Sequence, residues 1–71
     1  ALAAYQRAAS LGAAASPPPP WLAGVHRELG LMLRERNPRE ARVNFERFLA
    51  LAPPSSPGVA EARIAVSELP R

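Results

Sequence analysis

The chain contains no cysteine, no lysine and no aspartate, and it has one histidine and four aromatic residues. Each shortage excludes something. Without cysteine there is neither a disulfide nor a thiolate metal site, and the compartment stays open between cytoplasm and periplasm. A metal or catalytic role for His26 would need a second histidine, a cysteine or aspartates at ligand spacing, and none exists in the chain. No HExxH sequence is present, so there is no peptidase metal site. No apolar run approaches the roughly 20 residues of a membrane span. The net charge of +3 comes without a dense basic run or a set of stacking aromatics, which argues against nucleic acid as a partner. Arg27, Glu28, Arg34, Glu35, Arg39 and Glu40 alternate in sign instead, as a solvated helical surface does.

What is present points to helices. All nine basic residues are arginine and all six acidic ones are glutamate, beside fifteen alanines and nine prolines, a bias that suggests GC-rich bacterial coding. At 71 residues the chain is one small unit. A chain of this size buries only about 60% of the surface its unfolded form exposes. It therefore depends on good helix packing, on neighbours or on a larger parent.

Apolar residues recur with helical period in four segments. The first, residues 1–11, places Leu2, Tyr5, Ala8 and Ala9 on one face, with Gly12 expected to stop the helix. It opens in mid-pattern with no capping residue, which predicts truncation from a longer protein. Residues 13–20 (AAASPPPP) cannot lie in a helix interior and are expected to form a stiff linker, or a docking strip for a proline-binding domain. Residues 21–36 form a second helix with Leu22, Val25, His26, Leu29, Met32 and Leu33 facing inward. Asn37 and Pro38, with Glu40 three residues after the cap, mark the start of a third helix. It carries Ala41, Phe45, Phe48, Leu49 and Ala52 on its apolar side and ends at Pro53 and Pro54. Ser56 and Pro57 repeat the cap-then-proline signal for a fourth helix, to Leu69, with Val59, Ala62, Val66 and Leu69 inward. The loops allow only antiparallel neighbours, so the expected fold class is all-α, built of antiparallel helical hairpins.

Two of the helices resemble each other. Ala1 to Ala8 aligns with Ala41 to Phe48, pairing Tyr5 with Phe45, Arg7 with Arg47, and Leu11 with Leu51, at an offset of 40 residues. The unit in between resembles a tetratricopeptide repeat: Leu29 and Gly30 match its leucine–glycine pair, Leu33 its later apolar position, and Ala41, Phe45 and Pro53 the alanine, aromatic and proline of its second helix. The chain departs from the pattern at His26, where a tryptophan is common, at Phe48, where a small residue is usual, and in a turn one residue short at Arg36-Asn37-Pro38. Phe48 is expected to widen or tilt the contact with the fourth helix. The resemblance implies a short α-solenoid: residues 1–12 the second helix of a partial repeat, 13–20 a proline-rich linker, 21–54 one full repeat, and 55–71 a C-terminal capping helix. The phrase from His26 to Pro53 also resembles the repeats attached to some secreted bacterial zinc metallopeptidases and envelope lipoproteins.

The chemistry expected of such a chain is recognition, not catalysis and not cofactor binding. Its serines lack a base, Glu28 and Glu35 lack a pocket, and His26 sits on the apolar stripe as a packing residue. The family's concave groove positions fall on Arg27, Leu31 and Arg34, whose spacing makes one stripe suited to a protein or acidic peptide partner. Trp21 either stacks on Pro19 or Pro20 or stands as an exposed partner anchor. Two further readings stay open. One is a structural appendage that positions an upstream catalytic domain such as an envelope metallopeptidase. The other is self-association through the first helix.

Overall fold

The computed structural model describes all residues, 1–71, as four helices without a strand: α1 (Leu2–Ala13), α2 (Leu22–Leu33), α3 (Pro38–Leu51) and α4 (Val59–Glu68). Consecutive helices pack on one another, α2 and α3 most extensively. None is long and apolar enough to cross a membrane. Arg27, early in α2, packs against Gly58 at the start of α4, and Arg34, just past the end of α2, reaches Glu68 at the end of α4. The two helices therefore lie side by side and run in the same direction. Residues of α1 and α3 border common recesses on the opposite side. The resulting slab is 18 Å thick, about two helix diameters.

The α2–α3 contact depends on a missing side chain. A Cβ on Gly30 would stand only 2.8 Å from Cζ of Phe45, so glycine lets the aromatic ring sit directly on the α2 backbone. Gly12 does the same at the α1–α2 crossing, where a Cβ would meet Leu22 Cδ1 at 2.5 Å. The sequence marks Gly12 as a helix stop, but α1 continues through it to Ala13 and buries it. The turn comes afterwards, where Ala15 donates its amide to the Gly12 carbonyl. Close approach, not a left-handed cap, is what selects glycine there.

Asn37 caps α3 as its sequence predicts: its side chain accepts from the Glu40 amide at 3.3 Å and Pro38 occupies the first turn. The second helix is shorter than its period implies. It ends at Leu33, and Arg34 to Arg36 form a tight turn closed by the Asn37 amide on the Leu33 carbonyl at 2.8 Å. Asn37 must be extended because a proline follows, so the helix cannot run into α3. Extended residues before prolines also end α3 at Ala52 and α4 at Leu69.

The start of α4 departs from expectation. Ser56 does not cap it with its side chain; the N-cap is Gly58, in the left-handed region at φ 88°. A residue with a Cβ would be strained there and would also collide with the Arg27 side chain. Behind this corner lies the main core cluster of Phe45, Phe48, Val59, Ala62 and Ala65. Phe48 fits opposite α4 because Ala62 and Ala65 leave room for the ring. Arg42 then ties down the far end of α4, donating to the carbonyls of Val66 at 2.6 Å and Leu69 at 3.0 Å. These are carbonyls that a helix end leaves without intrahelical partners.

Candidate partner-binding face

Arg27, Leu31 and Arg34 lie along the border between α2 and α4. Their i, i+4, i+7 spacing keeps them on one side of α2, but their surroundings differ. Arg27 is half-buried, its side chain laid over Gly58, and it has no ion-pair partner in the chain. Arg34 faces Glu68 across a 3.8 Å gap with both side chains largely solvated. Such a pair adds little to stability, since water screens it and two long side chains must be held still. Leu31, between them, is 46% exposed.

Sequence reasoning missed the counterpart on α4. Ile64 is 57% exposed, one turn before Glu68 on the same side of its helix. Leu31 stands one turn before Arg34 in the same way. Two parallel helices thus each present a large aliphatic side chain one turn back from the Arg34–Glu68 bridge. The signal in the sequence was an isoleucine outside the Val59, Ala62, Val66, Leu69 stripe, a position that helix packing does not need.

Trp21 does not join this set. It immediately precedes α2 and is half-exposed. Ten residues separate it from Leu31, so it lies about 15 Å away along the axis and is rotated by roughly 80° around it. It faces outward, on the side of α2 turned away from α4.

The opposite side of the slab holds a second polar feature. His26 and Asn44 are buried, 5% and 4% exposed, and Nδ1 of His26 lies 2.9 Å from Oδ1 of Asn44. The Asn44 amide nitrogen donates to the Glu40 carbonyl at 3.0 Å, which fixes the orientation of the amide. By that network the Nδ1 proton is donated to the Asn44 oxygen. Burial of His26 follows its place on the apolar stripe, as expected. The partner was not foreseen, although Asn44 falls three residues after Ala41 and four before Phe48, on the inward side of α3. No buried side-chain polar atom lacks a partner, so Nε2, which makes no bond within the chain, is open to solvent; His26 also lines a recess with Ala9, Ser10, Ala13 and Arg47.

No group of histidine, cysteine, aspartate or glutamate side chains is arranged to hold a metal ion. No family model, curated protein or solved structure matches the chain.

Proposed function

We propose that the chain is a protein-interaction module of the tetratricopeptide type, which binds a peptide or protein partner along the α2–α4 face and has no catalytic role. The observation that carries the reading is the pair Leu31 and Ile64, exposed on adjacent parallel helices. A single exposed leucine means nothing, because apolar atoms make up more than half of any protein surface. Two large aliphatic groups on neighbouring helices, rimmed by charge, form the kind of patch that marks a binding site. Small residues at the hairpin contact, Gly30 and Ala41, support the family assignment, as do the parallel courses of α2 and α4.

Arg27 and Arg34 set the charge preference. Arg27 has no carboxylate of its own and Arg34 only a solvated one, so an acidic partner can engage both guanidinium groups. The partner is then a segment with one bulky apolar side chain flanked by carboxylates, lying across Leu31 and Ile64. Selection from a displayed peptide library should return such sequences, and Leu31→Glu should abolish their binding while far-UV circular dichroism stays unchanged. Arg34→Glu should weaken them at least tenfold. Arg27→Glu is the poorer probe, because Arg27 also packs over Gly58. Selected peptides that bind the Leu31→Glu and Ile64→Glu proteins as well as the parent would reject this face.

A second reading rests on the outer side of α1, where Leu11 is 72% exposed. This surface is available for docking on another helix, either of a second copy or of a catalytic domain that the chain positions. Light scattering of the parent and of Leu11→Glu separates the cases: a dimer that the substitution dissolves supports self-association, and monomers in both exclude it.

A further inference from the structure

We infer, on the reading of the α2–α4 face as a binding surface, that its occupant is a second copy of this chain, with α2 of each copy lying over α4 of the other.

The face calls for a bulky apolar side chain flanked by carboxylates, and α4 itself presents that set. Glu61, Ile64 and Glu68 are all exposed, and their i, i+3, i+7 spacing keeps them on one side of the helix. The stripe beside it on α2 is the electrostatic complement. One reads Arg27, Leu31, Arg34 and the other Glu61, Ile64, Glu68, in the same chain direction on two parallel helices. Within a single chain the match is used at one end only. Arg34 reaches Glu68 across 3.8 Å, whereas Arg27 and Glu61 make no ion pair. Leu31 and Ile64, between the charges, stay 46% and 57% exposed.

Two-fold symmetry restricts how two such faces can meet, because each patch must contact its own copy. With the axis across the helices, α2 lies antiparallel on α2 of the other copy. Arg27 then opposes Arg34 and Glu61 opposes Glu68, and like charges face each other throughout. With the axis along the helices, midway between α2 and α4, each α2 stripe lies over the other copy's α4 stripe. Arg27 then faces Glu61, Leu31 faces Ile64 and Arg34 faces Glu68, each pair occurring twice. Measured from the level at which Arg27 meets Gly58, the members of each pair differ in height by about 3–5 Å at 1.5 Å rise per residue, less than one helical turn. Long arginine and glutamate side chains span such an offset.

This second arrangement removes the exposed aliphatic pair from water in both copies and gives Arg27 and Glu61 the counter-charges that they lack within one chain. The contact is small. The chain exposes 4698 Å², and a standard interface takes about 800 Å² from each partner, roughly a sixth of that surface. Six side chains from each copy cover less, so the dimer belongs among weak complexes, with a Kd of about 10 μM to 1 mM. Its charged pairs lie at the rim of the aliphatic contact, where salt screens them.

The test is sedimentation equilibrium of the parent chain at low ionic strength, from about 10 μM to 2 mM, a range that brackets the expected Kd. A reversible monomer–dimer equilibrium should appear, and added salt at about 0.5 M should shift it toward monomer. Leu31→Glu and Ile64→Glu should each abolish it. Arg34→Glu and Glu68→Arg should each weaken self-association by roughly tenfold or more, since like charges then oppose each other twice. Mixed together, these two proteins should associate again, because in the mixed dimer each side chain at position 34 meets the opposite charge at position 68. Misfolding of either variant cannot produce that rescue. The proposal is overturned by a parent that stays monomeric throughout, by a dimer that Leu11→Glu dissolves and Leu31→Glu does not, or by a mixture no more associated than its components. Library peptides that bind the face of a monomeric parent would leave the partner-binding reading standing while the second copy is rejected.

Discussion

Replacing Gly30 and Gly24 by alanine, one at a time, should change stability in opposite directions, although both glycines lie in the same helix. Alanine in a helix interior is favoured over glycine by about 1 kcal/mol, because glycine has more backbone freedom to lose. At Gly24 nothing lies within 4 Å of an added Cβ, so a gain is expected, smaller than the interior value because Gly24 lies in the first turn of α2. At Gly30 the new methyl would meet three atoms of the Phe45 ring, Cζ at 2.8 Å and Cδ2 and Cε1 at 2.9 Å. Carbon atoms in contact sit about 3.5–4.0 Å apart, so the ring must retreat by roughly 0.6 Å or more. It is rigid, 3% exposed, and packed in the cluster with Phe48 and Val59. Overpacking of this kind costs about 1–3 kcal/mol. Three ring atoms closer than 3.0 Å put the cost in the upper part of that range, roughly 2–3 kcal/mol, so after the propensity gain Gly30→Ala should lose on the order of 1–2 kcal/mol. For a domain of this size each kcal/mol moves Tm by about 4–8 °C. Thermal and urea unfolding followed by far-UV circular dichroism should show Gly24→Ala above the parent and Gly30→Ala below it. The urea slope should stay constant, so that the shift reports stability rather than compactness. A Gly30→Ala protein as stable as the parent would refute the ring-on-backbone contact and, with it, the hairpin geometry.

Arg42→Met should lose about 1.5–3 kcal/mol, since its two bonds to the end of α4 come from a charged donor only 16% exposed. Amide exchange should quicken in α4 while α2 and α3 keep most of their protection. Asn44→Ala should cost about 1–3 kcal/mol by leaving Nδ1 of His26 without an acceptor. In a double-mutant cycle with His26→Leu the two effects should couple by about 0.5–3 kcal/mol, whereas simple additivity would mean that the bond contributes nothing. Asn37→Ala should cost about 0.5–1 kcal/mol, the low end for a helix cap, because its bond to Glu40 is long at 3.3 Å. A loss above that range in chemical denaturation would mean that Asn37 does more than cap.

The helices and their inward faces were legible because they rest on local rules. Periodicity places Leu22, His26, Leu29 and Leu33 on one side of α2, and all four are buried. Asn37 with Pro38 fixes the start of α3 by chemistry confined to four residues. What went astray depends on contacts far along the chain. Gly12 has the local signature of a stop, and only the approach of Leu22 keeps it helical and buried. Ser56 has the local signature of a cap, yet the left-handed turn at Gly58, under the Arg27 side chain, takes that role. The candidate face followed the same division. Leu31 and Arg34 could be placed on one stripe from spacing alone, but their neighbours Ile64 and Glu68 follow in the chain only after a loop whose course no local pattern encodes.

The position of α2 explains why the proposed partner-binding face depends on its packing. Its Leu22 and Leu29 side packs under α1, its Gly30 side receives Phe45 of α3, and Arg27 and Arg34 border α4. The side that carries Trp21 and Gly24 is left open: Trp21 is half-exposed and a Cβ on Gly24 would meet nothing. A helix packed on three sides cannot shift to meet a ligand without disturbing each of those contacts. Leu31 and His26 are therefore held in place by the same packing, one toward the α2–α4 face and one against Asn44 of α3. If the hairpin were loose, the exposed aliphatic pair would have no fixed direction. The opposed responses of Gly24 and Gly30 consequently bear on the proposed face as well as on stability.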